Sequence, residues 1–382
     1  MSLLSLPDKL IFCIAQNLQK EQYINAFSQT NRHLYSLLFP YLCRHNIQYW
    51  GSSALLWAAE FGLRELTKTL ISEGANIHVS NPLAQTPLFL ACYFGHTDLV
   101  KFLLDRGAYT EGLDKQGATP LHMAASSGHK EILEILIQRC CHLELRSEDG
   151  QTPLHSAAFH GHTDAVDALL SKGASLEARD KHGGTPLHSA VWQGREAVVR
   201  LLLGKGSDPN SRGKGGETPL HDAARVGREK IAKHLLAHGA SPNMKDKLGI
   251  TPIQAASHFG HRGIVSVLLE QGASHKQQDR NGRTPLHSAA GQGHASVVKL
   301  LLDAGAIPNV LSRYNETPLH AAAYGGNEDV VNLLLECGLD PEARDKQNIT
   351  PFDAASWKGH KAILALFRSK LNSQSSTLPA TE

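Results

Sequence analysis

The chain has 382 residues, of which 38 are Lys or Arg and 36 are Asp or Glu, giving a formal net charge of +2. This balance argues against a nucleic-acid-binding protein held mainly by phosphate contacts, which needs an excess of basic residues. The six Cys form no CxxC pair, which favours reduced thiols in an intracellular protein of the cytoplasm or nucleus. The start, MSLLSLPDKLIF, lacks the basic region of a signal peptide, and no apolar run is long enough to span a membrane.

Residues 1–50 carry an apolar pattern of their own, which predicts three short helices. The run LPDKLIFCIAQNL has apolar residues at helical spacing after Pro7, and the run TNRHLYSLLFPYL continues an apolar face. Three short helices with this much apolar surface can barely bury it internally. Part of the surface must therefore pack on the rest of the chain or on another protein.

The segment resembles an F-box, on the Leu6-Pro7 start and the TNRxLYxLLxPYLxR run. The resemblance implies docking onto a Skp-type adaptor of a cullin-RING ubiquitin ligase. The residues it assigns to the adaptor-facing and core apolar surface are Leu6, Pro7, Leu10, Ile14, Leu18, Ile24 and Leu38. The sequence departs from the F-box pattern at Lys9, where an acidic residue is usual. A second interpretation stays open, in which these helices only cap the end of the array that follows.

From residue 53 onward the sequence repeats every 33 residues. Thr-Pro pairs begin at Thr86, Thr119, Thr152, Thr185, Thr218, Thr251, Thr284, Thr317 and Thr350. The stretch SALLWAAEFG, from Ser53, fits the same frame without its Thr-Pro. The predicted units are 53–85, 86–118, 119–151, 152–184, 185–217, 218–250, 251–283, 284–316, 317–349 and 350–371. The small, polar stretch 372–382 is predicted to be a disordered tail.

The repeated letters predict a helix–turn–helix unit followed by a β-finger. Thr is a good N-cap, Pro suits the first helical position, and a Gly in every unit ends the first helix in a left-handed turn. A second helix ends at another Gly, and DxxGxT forms the finger. Cys140 stands where other units have that second Gly. We interpret it as a drifted cap, because Cys140, Cys141 and His142 are adjacent and adjacent ligands rarely reach one zinc ion.

A 33-residue period with TPLHxAA is typical of the ankyrin repeat, and residues 53–371 resemble that family. The resemblance predicts an all-α ankyrin-repeat solenoid preceded by a small three-helix F-box. It also gives the recurring His a structural role, as a tether between neighbouring units. No GxSxG, Walker or GxGxxG run follows a predicted strand. We therefore expect no enzyme, no metal and no cofactor.

Ankyrin arrays bind targets along the concave side, and two rows of residues there differ from a generic polar surface. Aromatic residues precede the Gly of the first helix at Tyr93, Phe94, Phe159, Trp192, Phe259, Tyr324 and Trp357. Basic residues stand at the finger tips at Lys115, Lys181, Lys214, Lys247, Arg280, Arg313 and Lys346. The aromatic row could instead pack on adjacent units, and the basic row could be a solvated face. If both rows bind, they favour an extended acidic segment with apolar anchors.

The two resemblances together predict a substrate-receptor subunit of an SCF-type cullin-RING E3 ubiquitin ligase. This combination is similar to fungal proteins that join an F-box to ankyrin repeats. The F-box would hold the Skp-type adaptor and the ligase core, and the groove would present an unidentified target protein. The alternative is a non-catalytic ankyrin scaffold whose N-terminal helices only cap the array.

Overall fold

The computed structural model describes residues 43–44, 47–48, 52–139 and 142–375. The predicted F-box residues from Leu6 to Leu38 lie outside the described residues, and so do Cys140 and the stretch 376–382. The chain divides into two compact units, Met1–Lys181 and His182–Glu382. In both units the described residues form helix pairs at the 33-residue interval, so the predicted all-α repeat is confirmed from Ser53 onward.

The described part of the first unit contains four helix pairs. They are α1 (Ser53–Glu60) and α2 (Arg64–Ser72), α3 (Pro87–Phe94) and α4 (Thr97–Asp105), α5 (Pro120–Ser127) and α6 (Lys130–Gln138), and α7 (Pro153–His160) and α8 (Thr163–Ser171). The first helix of each pair packs against the first helix of the next, and the second helices do the same.

The described part of the second unit contains six helix pairs. They are α9 (Pro186–Gln193) and α10 (Glu196–Gly204), α11 (Pro219–Val226) and α12 (Glu229–Ala237), α13 (Pro252–His258) and α14 (Arg262–Glu270), α15 (Pro285–Gln292) and α16 (Ala295–Asp303), α17 (Pro318–Gly325) and α18 (Glu328–Glu336), and α19 (Pro351–Lys358) and α20 (Lys361–Ser375). The last helix continues past residue 371, the predicted end of the array.

Thr and Pro start the first helix of a repeat as the sequence predicts. All nine Thr N-caps have an extended backbone, with φ between −88° and −104°, and Pro occupies the first helical turn. The core between neighbouring first helices contains small side chains. In α11, Leu220, Ala223 and Ala224 are fully buried. The small Ala side chains let the first helices of neighbouring repeats approach closely.

The fingers are extended turns rather than the β-fingers that the sequence predicts. No regular strand occurs in the part of the chain that the structure describes. Neighbouring finger tips share a backbone hydrogen bond, as where the Lys247 N–H donates to the Gly215 carbonyl at 2.8 Å. Side chains add a second link, and the Arg212 guanidinium donates to the Lys245 carbonyl at 2.6 Å. The ladder of bonds that defines a strand does not form, because each finger touches its neighbour mainly at the tip.

All nine finger tips have a left-handed backbone. Six tips are Gly, and the predicted substitutes Asn315 and Asn348 have φ of 59° and 63°. The first finger has Ala84 at this place, with φ of 62°, which the sequence analysis missed. Its neighbour Leu83 accepts the Lys115 backbone N–H at 2.9 Å. Tip-to-tip bonding therefore holds even an alanine in a conformation that its Cβ disfavours.

Two glycines in the sixth repeat are left-handed for different reasons. Gly227 ends α11 at φ of 78°, and a Cβ there would lie 2.8 Å from the His261 imidazole of the next repeat. That ring also lies 3.1 Å, through its Nε2, from the carbonyl oxygen of Arg225. Gly239 ends α12 at φ of 89°, and a Cβ there would meet nothing within 4 Å. The first position combines a dihedral constraint with close packing, whereas the second has only the dihedral constraint.

We expect Gly227→Ala to destabilise the protein more than Gly239→Ala. Gly239→Ala is the control and should cost roughly 1 kcal/mol, because the alanine must adopt a left-handed backbone. Gly227→Ala should cost this and more, because it also displaces the imidazole that caps α11. Urea unfolding of both variants measures the difference. Equal losses would show that the His261 ring moves aside freely.

Candidate functional site

The recurring His of the TPLH motif uses both ring nitrogens to tie the start of its first helix to the finger that ends the same repeat. The Nδ1 of His287 accepts a hydrogen bond from the Thr284 backbone N–H at 3.2 Å, and the Thr284 hydroxyl lies 2.9 Å from the same nitrogen. The Nε2 lies 3.0 Å from the carbonyl oxygen of Glu316, the last finger residue of this repeat, directly before Thr317. The same arrangement occurs at His122, His221 and His320.

This geometry keeps the ring neutral. Since Nδ1 accepts from a backbone N–H, the proton must sit on Nε2, which then donates to the carbonyl. Burial lowers the pKa of His287 to about 4 and is also the largest cause of the lowered pKa of His122, His221 and His320. Both nitrogens of these rings are therefore used in structural hydrogen bonds.

The second row of His, which follows the Gly of the first helix, is also structural. Each of these rings places Nε2 between 2.8 and 3.2 Å from a backbone carbonyl oxygen near the end of the first helix in the preceding repeat. Those carbonyls belong to the last turn of a helix, where no further backbone N–H is available to them. The members of this row are His96, His129, His162, His261, His294 and His360.

We expect the array to lose stability as the pH falls below about 6.5 towards 4. An unfolded His binds its proton near pH 6.5 whereas the buried His287 ring binds it only near pH 4, so protons favour the unfolded state in this window. Each such ring should contribute a slope of up to about 1.4 kcal/mol per pH unit. Gln is a natural substitute at this position, since the amide of Gln254 donates to the Arg283 carbonyl at 2.8 Å.

The variant His287→Gln should therefore unfold with a weaker pH dependence than the parent. The measurement is the urea midpoint at pH 7 and at pH 5. Substitution of the exposed His238 by Gln is the control and should leave the parent's dependence unchanged. If His287→Gln and the parent showed the same dependence of the urea midpoint on pH, the His287 ring would not be neutral and buried in the folded protein.

The second unit contains a groove of about 830 Å³ between its first helices and its fingers. The floor consists of small residues at one position of the repeat, Ala255, Ser288, Ala321 and Ala354. The helix wall carries Phe259, Tyr324 and Trp357, three residues of the predicted aromatic row. The finger wall includes Asp279, Arg283, Glu316, Asp345 and Gln347.

The acidic groups of the finger wall are already bonded. The Asp279 carboxylate accepts two backbone N–H groups of its own finger at 2.8 Å. Asp345 does the same in its finger, at 2.8 and 2.9 Å. The Glu316 carboxylate accepts the Arg283 guanidinium at 3.1 Å. Asp279 and Asp345 therefore stabilise the finger turns, and Glu316 pairs with Arg283.

The aromatic row is exposed in both units. In the second unit Trp192, Phe259, Tyr324 and Trp357 are 45%, 46%, 54% and 70% exposed. In the first unit Tyr93 and Phe94 are exposed, whereas Phe159 is half-buried. Packing on adjacent repeats therefore covers only part of each exposed ring. The Lys358 ammonium lies 4.3 Å from the centre of the Tyr324 ring and shields part of it.

The predicted basic row presents side chains to solvent on a fixed backbone. Lys181 in the first unit and Lys214, Lys247, Arg280 and Arg313 in the second are exposed. In the second unit the backbone N–H groups of these residues bond the preceding finger tip at 2.7 to 2.9 Å. No carboxylate forms an ion pair with these five side chains within the part of the chain described. Glu148 interrupts the row in the first unit.

The sequence analysis missed two exposed aromatics in the first repeat. Trp57 and Phe61 are 52% and 57% exposed, and their ring centres lie 5.1 Å apart. Phe61 stands directly before Gly62, so the 33-residue frame already contained the signal for it. With Tyr93 and Phe94 of the second repeat, the first unit has its own group of exposed rings.

The described residues show neither a metal centre nor a membrane-spanning helix. Across 52–139 and 142–375, no three His, Cys, Asp or Glu side chains are grouped to hold a metal ion. No helix in these ranges combines the length and the apolar character needed to cross a bilayer. Among the described residues, Cys43, Cys92 and Cys337 form no disulfide bond.

The repeats are paired helices. Thr-Pro caps the first helix, and His links it to the finger that follows. These features define a repeat protein of the binding-module class. Family models for ankyrin repeats match residues 55–146, 139–213, 220–312 and 304–375, and a further ankyrin model matches 193–236. The chain belongs to the ankyrin repeat family, and its fold is an all-α solenoid of paired helices. Such repeats are non-catalytic modules for protein–protein interaction.

The comparisons leave the N-terminal segment without a family. None of the matched segments extends into residues 1–54, so the F-box resemblance stays a prediction. A search of curated proteins found no match to the chain.

Proposed function

We propose that this chain is a non-catalytic scaffold that binds an extended segment of a target protein along the groove of its second unit. The observation that carries this proposal is the pairing of exposed rings with a floor of small residues. Phe259, Tyr324 and Trp357 rise beside a floor of Ala and Ser, which leaves room for a backbone and for apolar side chains between the rings. Large aromatic residues in such a setting are the usual anchors of an interface.

The charges beside this groove favour an acidic segment. The finger acids Asp279 and Asp345 are bonded to their own backbone. The basic side chains of Lys247, Arg280 and Arg313 are exposed and pair with no carboxylate among the described residues. These exposed basic side chains would speed and orient the approach of an acidic partner.

We expect Tyr324→Ala to weaken binding of a groove ligand by about 2 kcal/mol or more, roughly thirtyfold, with little change in stability. The ring is 54% exposed, so its removal leaves no large cavity. The probes are peptides selected on the parent protein from a displayed random library. The affinity of these peptides and the melting temperature are measured for each variant.

Tyr314→Ala is the matched control, because Tyr314 is 51% exposed but sits at a finger tip and does not line the groove. The control should keep the parent's affinity. A Tyr324→Ala variant that melts at a lower temperature and binds unchanged would mean that the ring serves packing between repeats.

A narrower hypothesis concerns residues 1–50, which lie mostly outside the described residues. We propose that they bind a Skp-type adaptor, making the chain a substrate receptor of an SCF-type cullin-RING E3 ubiquitin ligase. The support is the sequence LPDKLIF together with the TNRHLYSLLFPYL run. The repeats would then hold the target near the transfer machinery and raise its effective concentration, while other subunits carry out the chemistry.

The double variant Leu6→Ala, Pro7→Ala should lose adaptor binding in a pulldown with purified Skp-type adaptor. Helical content should hardly change, because the array supplies most of the helix. Leu3→Ala with Leu4→Ala removes a similar apolar area outside the assigned positions and serves as the control. Failure of the parent chain to bind the adaptor would leave the plain scaffold as the function.

A further inference from the structure

One acidic side chain of the second unit stands in the floor row of the groove. Asp222, on α11, occupies the repeat position that is Ala255, Ser288, Ala321 and Ala354 in the following repeats. Those four residues line the groove, and α11 packs directly against α13. Asp222 therefore continues the same floor by one repeat, towards α9. The row changes there from small and neutral to acidic.

The Asp222 carboxylate differs from the finger acids because it has no bonding partner. Within residues 182–371, no hydrogen-bond donor or cation pairs with it, whereas Asp279 and Asp345 each accept two backbone N–H groups. The side chain is partly buried. Burial raises the pKa of this carboxyl to about 7, an effect that Arg225 opposes and Glu217 reinforces. A partly desolvated, unpaired carboxylate is unfavourable in the free protein, and a cation would relieve it.

The residues around Asp222 suit a cation that arrives from the groove. Trp192 is 45% exposed and lies at the end of α9, the helix one repeat earlier that packs against α11. An indole face attracts an ammonium or a guanidinium group. On the other side the floor continues as Ala255, which leaves space for a long side chain. Arg225 lies one turn along α11, too far for an ion pair with Asp222, and it lines the groove itself.

We propose that the ligand segment extends over α9 and α11 and there presents one lysine or arginine side chain to Asp222, beside Trp192. This inference rests on the proposed function, since it identifies a subsite of the same groove. The ligand is then an acidic segment that carries a single basic residue at the end lying over α11. The basic side chains at the finger edge select an acidic segment, and Asp222 fixes which residue of that segment lies over α11.

The experiment selects peptides from a displayed random library on the parent protein and on Asp222→Ser. Serine is the natural residue of this row at Ser189 and Ser288, so the variant should fold. We expect Lys or Arg to be enriched at one position among peptides from the parent, and not among those from Asp222→Ser. Asp303→Ser, which removes an exposed carboxylate on α16 outside the groove, is the control and should keep the enrichment.

Affinities of one selected peptide complete a double-mutant cycle. Replacing its basic residue by Gln should weaken binding to the parent about tenfold or more, and Asp222→Ser should cause a similar loss. The two changes together should cost no more than either alone. Independent losses would mean that the basic residue binds elsewhere.

Binding of a His-free peptide should also depend on pH in the parent alone. The affinity should rise about tenfold from pH 6 to pH 8, as the Asp222 carboxyl ionises. On the helices on either side Ser189 and Trp192 are uncharged, burial lowers the pKa of His258, and His188 is present in parent and variant alike. Asp222→Ser should show a flat profile.

The outcomes separate this subsite from the proposed function. Equal enrichment of Lys or Arg on both proteins, or no basic preference on the parent, overturns the subsite while peptides that depend on Tyr324 still support the groove. Peptides that bind independently of Tyr324 overturn the groove and the subsite together, as does the absence of any selected peptide.

Discussion

The structure depends on a hydrogen-bonded imidazole that ties the start of a repeat to its last finger residue, which directly precedes the Thr of the next repeat. At His287 the ring accepts from the Thr284 backbone, which starts its own helix, and reaches the Glu316 carbonyl of the following finger. Each repeat is too small to bury its own apolar surface, so a contact that fixes the distance between repeats decides whether the next one can stack. Because the ring is neutral and buried, the link also makes the stack sensitive to acid.

The close spacing that the His link imposes explains the rest of the repeat. Small Ala residues in the first helix permit that spacing, and Gly227 leaves room for the His261 ring that caps the helix before it. Neighbouring fingers share one backbone hydrogen bond at their tips, and the tip residue is left-handed even where it is Ala84. Conformational constraints therefore recur at the interfaces between repeats, while the exposed faces are free to vary.

The exposed faces set what the groove can recognise. The Asp side chains of its fingers are hydrogen-bonded within local turns. Asp279, for example, accepts the backbone N–H groups two and four residues further along the chain. The neighbouring Lys and Arg side chains have no such local partner and remain available. Asp222 differs from these finger acids because it lies on a helix rather than in a turn. Which charged groups can recognise a ligand therefore depends on which carboxylates already accept hydrogen bonds within the fold.

The sequence by itself determined the 33-residue unit, the helix starts at Thr-Pro, the left-handed glycines and the structural role of the repeated His. These features depend on the dihedral preference or bonding capacity of individual residues, so they can be identified one residue at a time. The sequence also identified the aromatic and basic rows, but not which members are accessible. Tertiary structure decided that Phe159 is half-buried while Trp357 is 70% exposed, that Asp279 is bonded while Asp222 is not, and that the fingers form turns instead of strands. Exposure and pairing depend on atoms supplied by residues about 33 positions away, and a single repeat does not contain that information.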